Sequence, residues 1–446
     1  MFDKNLLEQA LNQIITLWGI PGLGIGIVKG NEIVYTRGFG VQSLETQAPV
    51  TPESLFCVAS VSKCFVATAI LQLVESGRID LDAPIVQYLP YFRLDDDRCT
   101  QITTRQILSH TSGMPDMEEE DYDELVSHPE TDEGAAERYV RGLGKQKMVG
   151  APGERFAYSN IAYNVLGDLI AKVTGQTFEK YMKEHILNPA GMPDSTFFFP
   201  EIEPGRLAVP HLRTPEMMVN PIYPYHRADA PASFLHSNVI DMCHWSITSL
   251  NRGEYNGNRI LSADAYPLMW TPVAPRNYPP FYEHAGLGWT LGHYEGWKTV
   301  SHGGGGFGWT DFLILLPEKQ CGAVILCNEE SSARENIILA VVDAMLDREP
   351  QAGPVSWMIP ISRALQDGGI QAAYDCYAEI KTSGGGGYLL DGYELVPLVY
   401  QLVSAGKVDL AMEVLKLNLH VFPDHAESHE FLSRLFNLES QRQAKQ

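Results

Sequence analysis

Ser60-Val61-Ser62-Lys63 puts a hydroxyl and an amine three residues apart, where an apolar run (Leu55–Ala59) leads into a helix-like stretch reaching Ile70. A serine hydroxyl is a weak nucleophile until a nearby base takes its proton. Positions i and i+3 share one helix face, so Lys63 can hold its amine against Ser60. A helix start also favours the negative charge that grows on an attacking oxygen. Taken alone, the quartet is more economically an ordinary helix start. Two companions change that. In Tyr158-Ser159-Asn160, a phenol beside an ammonium is expected to have its pKa lowered and to carry protons near neutrality. Asn160 offers a donor and an acceptor able to hold Lys63 or a substrate carbonyl. In His302-Gly303-Gly304-Gly305-Gly306, glycines let the backbone approach a ligand and present a free N–H. A buried tyrosine before a helix, or a glycine-rich hairpin, would explain each companion singly. Together, in this order and spacing, the three are hard to assign to chance.

The elements that must position these residues are legible in outline. An amphipathic helix is expected over about Leu6–Leu17, then a hairpin of Gly22–Lys29 and Glu32–Phe39 across Gly30-Asn31. Helix-dominated sequence with proline-rich loops fills about Asp95–Tyr282. Strands return at Leu287–Tyr294, Trp297–Ser301, Asp311–Leu316 and Ala323–Cys327, and a helix at Ala333–Leu346 closes the unit. Strands at both ends with helices between imply an α+β fold, an antiparallel sheet flanked by helices with an inserted all-helical lobe. A site at the junction of the lobes follows. Asp347–Pro360 reads as a linker and Ser383–Gly387 as a second joint. Glu394–Ser404 and Lys407–Val421 read as two helices joined at Ala405-Gly406, followed by Pro423.

As a set, these motifs resemble those of the serine β-lactamase and penicillin-binding-protein superfamily, in particular its class C-like branch with D-aminopeptidase, DD-peptidase and small-ester carboxylesterase relatives. Ile102–Pro115, Pro152-Gly153 and Asp241-Met242-Cys243-His244-Trp245 are similar to further family segments. The resemblance spans roughly residues 5–348. It implies Ser60 as the acylated nucleophile, Lys63 and Tyr158 sharing the proton transfers, and Asn160, His302, Gly304 and Gly305 as substrate-binding. The backbone N–H groups of Ser60 and Gly305 would form the oxyanion hole. His302 stands where many relatives carry lysine, which replaces a fixed cation by a group that titrates near 6.5. Pro231–Ser237 stands where many relatives carry paired glycines.

The implied organisation is a hydrolase domain over 1–348, with a sheet lobe at about 1–94 and 283–348 and a helical lobe at about 95–282. A linker and a helical, tetratricopeptide-like extension follow over 349–446. That tail is expected to take no part in the chemistry. Its apolar positions Leu395, Leu398, Leu402, Ala411, Leu415 and Leu419 should dock on the catalytic unit or on another subunit, so a homo-oligomer through the C-terminal helices is an expectation.

The net charge, 33 − 55 = −22 over 446 residues, argues against nucleic acid or an anionic membrane as partner. Met1–Gly19 carries Asp3, Lys4 and Glu8 and does not read as a leader, so a cytoplasmic location is expected. The acidic run Glu118–Glu124 reads as a solvated face. Seven cysteines form no Cys-x-x-Cys pair and read as core thiols. His425 and His429, four apart, lack an accompanying acidic cluster, so neither a metal nor a cofactor is expected. His-Glu-x-x-His and Gly-x-Ser-x-Gly are absent from the sequence, against a zinc protease or an α/β-hydrolase. The function read here is a serine hydrolase of small esters, amides or D-amino-acid peptides. β-Lactamase or penicillin-binding activity is one alternative, and a non-catalytic interaction protein on the same fold is another.

Overall fold

The computed structural model describes residues 3–330, 333–385 and 387–445. Its centre is one eight-stranded antiparallel sheet. In chain order the strands are β1 (Gly22–Lys29), β2 (Glu32–Gly40), β3 (Ala274–Tyr278), β4 (Tyr282–Ala285), β5 (Thr290–Tyr294), β6 (Trp297–Gly306), β7 (Trp309–Leu316) and β8 (Cys321–Cys327). Their spatial order is β2-β1-β8-β7-β6-β5-β4-β3, so the N-terminal hairpin joins the sheet by β1 pairing with β8.

Helices cover both faces. On one side lie α1 (Lys4–Trp18) and the helix Arg334–Met345. Asp3 caps α1 by accepting from the N–H groups of Asn5 and Leu6, and Gly19, at φ 65°, ends it. Leu7, Leu11, Ile14 and Trp18 then fall on one buried stripe. On the other side lie α2 (Ser62–Glu75), α3 (Asn160–Thr174) and α4 (Val239–Leu250). Close approach of α4 explains the glycines of β1. A Cβ at Gly26 would come within 2.4 Å of Cys243 Sγ, and one at Gly24 within 2.7 Å of Val239.

Two differences from the sequence expectation concern the helical stretch ending at Tyr282. β3 lies inside it, an edge strand whose Pro275, Arg276 and Asn277 give no strand pattern. α4 packs on the sheet itself through its apolar residues. The strand expected from Leu287 begins at Thr290, because Gly288 (φ 75°) is pressed against α2 with Ala67 Cβ 2.3 Å from where its own would be.

Beyond Arg348 the chain is helical. Trp357 is buried and helix begins at Met358, inside the expected linker, running to Thr382 with a break at Gly369 (φ 71°). Residues 383–385 turn, while Gly386 lies outside the described residues. Then follow Val396–Ser404, Val408–Val421 and Ala426–Lys445, the last not anticipated. Leu395, Leu398, Leu402, Ala411 and Leu415 are fully buried, in one core with α1, β1 and Arg334–Met345. At about 1.5–3 kcal/mol for each large aliphatic side chain, this contact holds the tail on the sheet unit. Polar ties reinforce it: Arg213 N–H donates to Gln401 Oε1 at 2.6 Å, and Arg363 to the Leu17 carbonyl at 3.2 Å.

Candidate active site

Ser60 sits in a single 3₁₀ turn, Ala59–Val61, that feeds directly into α2. Ala59 is held at φ 43°, a left-handed conformation that costs an alanine roughly 1 kcal/mol and that packing must sustain. Behind this turn lies β6. Past Ser301, β6 has no partner on its β5 side, and this free edge abuts the turn. A Cβ on Gly304 would lie 2.5 Å from the Val58 carbonyl and 3.3 Å from Ser60 N. Only glycine fits there. Gly305 lies beside Ser60 on the wall of the cleft.

Lys63 is fully buried one turn along α2. Its Nζ lies 2.9 Å from Ser60 Oγ, 2.7 Å from Asn160 Oδ1 and 2.8 Å from the Ala232 carbonyl. Asn160 Oδ1 and the carbonyl only accept. A neutral amine has two N–H groups for them, and its lone pair is left for the Ser60 hydroxyl. Asn160 opens α3 and is fixed by Asp116, whose Oδ1 accepts from the Asn160 backbone N–H at 2.7 Å. The Asn160 amide donates to Tyr122 Oη at 3.2 Å. Tyr158 donates to Ser60 Oγ at 2.8 Å. Its ring stacks on His110 at 4.2 Å, and Ser159 caps α3 through the Ala162 N–H.

Electrostatics divide the two proton carriers. Burial pulls Lys63 down to about 7, against the opposing pull of Asp116 and Asp229. Burial pushes the Tyr158 phenol up, only partly offset by its hydrogen bond with Ser60. The expected lowering of the tyrosine is therefore reversed. Desolvation is the largest influence on the phenol, since a phenolate would be poorly solvated here. His302 is buried, with Nδ1–H donating to the Gly303 carbonyl at 2.8 Å. Burial, then the charge of Lys63, pushes it down to about 3, so it is neutral well below the value expected from its type.

All seven residues singled out in the sequence gather around this turn or on the strand behind it. Ser60, Asn160 and Gly305 line a cleft of about 210 Å³. Cys57 and Cys64 are buried and hydrogen-bond to the carbonyls of Ser233 and Gly288. His425 and His429 lie in the tail, their ring nitrogens on Ser428 and the Pro423 carbonyl.

Several neighbours went unread. Asp116 directly follows the Ile102–Pro115 segment, yet one aspartate carries no pattern. Any residue type could supply the Ala232 carbonyl. Arg276, on the unrecognised β3, lies over the rings of Phe156 and Tyr282 and donates to Thr290 Oγ1 at 2.7 Å. Glu330, Tyr400 and Ser404 also line the cleft. The expected separation of tail from site therefore does not hold at this wall, because the helix Val396–Ser404 packs on the short strand His211–Arg213 and reaches the opening.

Comparison with known proteins places this geometry in context. Residues 9–345 match the model of the Beta-lactamase family. The chain is 27% identical over 314 residues to protein flp of Staphylococcus aureus (strain MW2), covering 70% of this chain and 60% of that protein. The match thus spans less than two thirds of that relative's length. The octameric penicillin-binding protein homologue from Pyrococcus abyssi superposes with a TM-score of 0.70 at 29% identity, over 82% of this chain and 81% of that one. A class C beta lactamase from Rhodobacter sphaeroides shares the fold at 20% identity, with a TM-score of 0.63 over 77% of this chain and 99% of that one.

Proposed function

This chain belongs to the Beta-lactamase family, and we propose that it is a serine hydrolase working through an acyl-enzyme on Ser60, cleaving small esters or amides. The observation that carries this reading is the partnering of Lys63, whose amine holds two pure acceptors and turns its remaining valence to Ser60 Oγ at 2.9 Å. In the proposed cycle Lys63 takes the Ser60 proton as Oγ attacks the substrate carbonyl. The oxyanion rests on the backbone N–H groups of Ser60 and Gly305, contacts worth about 3 kcal/mol apiece. Tyr158, kept protonated by burial, hands its proton to the leaving group and regains one from Lys63. Water then releases the acid by the same transfers in reverse. A neutral His302 supplies no cation for a substrate carboxylate, which supports neutral over anionic acyl substrates.

A fluorophosphonate probe followed by peptide mapping tests the assignment. The adduct is expected on the peptide containing Ser60, and Ser60→Ala should lose turnover of a short-chain p-nitrophenyl ester by several orders of magnitude. An adduct on Ser159 or Ser301, or an alanine variant that still turns over, would overturn it.

A further inference from the structure

The cleft beside Ser60 carries one charged side chain among its described lining residues, Glu330. Glu330 follows β8, and its carbonyl accepts from Gln401 Nε2 of the tail at 3.2 Å. Its neighbour Glu329 is committed to Arg213 at 3.5 Å in a buried pair. Glu330 itself makes no ion pair with a lysine, arginine or histidine among the described residues. Around it the cleft is aromatic, with Tyr122 edge-on to Phe307 at 5.3 Å and Phe234, Trp309 and Tyr400 on the walls. A carboxylate in a cleft with aromatic walls is the chemistry that selects a cation, through charge-assisted hydrogen bonds and cation–π contact. About 210 Å³ suits a group the size of an amino acid.

We propose that Glu330 sets the substrate class of the Ser60 site by binding the ammonium group of an amine-bearing ester or amide, with the aromatic walls and the tail helix completing the subsite. This rests on the acyl-enzyme reading above and narrows it. Burial and the charge of Glu329 hold the Glu330 carboxyl up to about 7, against the Gly308 N–H and Arg334. An arriving ammonium would supply the counter-charge that the cleft lining lacks.

The test measures protection of Ser60 from a neutral fluorophosphonate. Alaninamide, in either enantiomer, is compared with isobutyramide, which has the same shape and no ammonium. In the wild-type protein at least one enantiomer should protect at about tenfold lower concentration than isobutyramide, as a charge-assisted hydrogen bond implies. Glu330→Gln should collapse that ratio, and Glu330→Lys should reverse it, with labelling of Ser60 reporting that each variant is folded. Equal protection by the two amides in wild type, or a ratio unchanged in Glu330→Gln, would overturn the subsite. A wild-type protein unlabelled at Ser60 would instead overturn the nucleophile.

Discussion

Lys63 is the residue on which the chemistry turns, because burial beats the two carboxylates, Asp116 and Asp229, that favour its charge. Its nearest acceptor, Asn160 Oδ1 at 2.7 Å, is a neutral amide, which leaves the balance with desolvation. Asn160→Asp would place a carboxylate at that distance and favour the ammonium form. The midpoint of the kcat/KM profile should then move upward from about 7 by a unit or more, where one unit is about 1.4 kcal/mol. Activity at pH 7 should fall roughly tenfold for that reason and recover in part at higher pH. An unmoved midpoint in a folded Asn160→Asp protein would show that Lys63 does not set it. That Ser60, Lys63, Tyr158 and Asn160 belong together was legible, because their motifs in this order resemble those of a known family, and the structure brings them within hydrogen-bond reach. Their protonation was not, because burial enters only through the packing of distant segments.

Among the elements, the free edge of β6 and the turn carrying Ser60 depend on each other. Gly304 and Gly305 look alike in sequence but differ in what surrounds them. The nearest atom to a Cβ on Gly305 would be the Trp309 carbonyl at 3.7 Å, an ordinary contact, whereas one on Gly304 would meet the Val58 carbonyl at 2.5 Å. Gly304→Ala should therefore push β6 off the Ser60 turn and lower kcat at least tenfold, while Gly305→Ala should cost far less. Comparing kcat of the two alanine variants at matched folded fraction checks this, and equal losses would contradict the close approach. Elements with regular period, such as α1 and the β1–β2 hairpin, were readable to within a few residues. β3 was not, since Ala274–Tyr278 carries proline and polar residues and is a strand only because β4 pairs with it.

At the scale of the whole molecule, the sheet is shared property. One face holds α2, α3 and α4 under the site, and the other joins α1, Arg334–Met345 and the C-terminal helices in a single core. The tail was legible as amphipathic helices that need a partner. That Tyr400 and Ser404 would reach the cleft was not, because about 340 residues of sequence separate Tyr400 from Ser60 and no local pattern encodes a docking angle.

The central claim, that a lysine half-neutral at pH 7 activates Ser60, is tested most directly by the rate of fluorophosphonate acylation of Ser60 as a function of pH. The structure predicts a rise through neutrality, well below the ordinary lysine range because burial disfavours the Lys63 ammonium, kept at the same pH in Tyr158→Phe even where the absolute rate drops. A rate flat through neutrality that climbs only in the ordinary lysine and tyrosine range, above about pH 9, would contradict it, as would a midpoint that vanishes with the phenol.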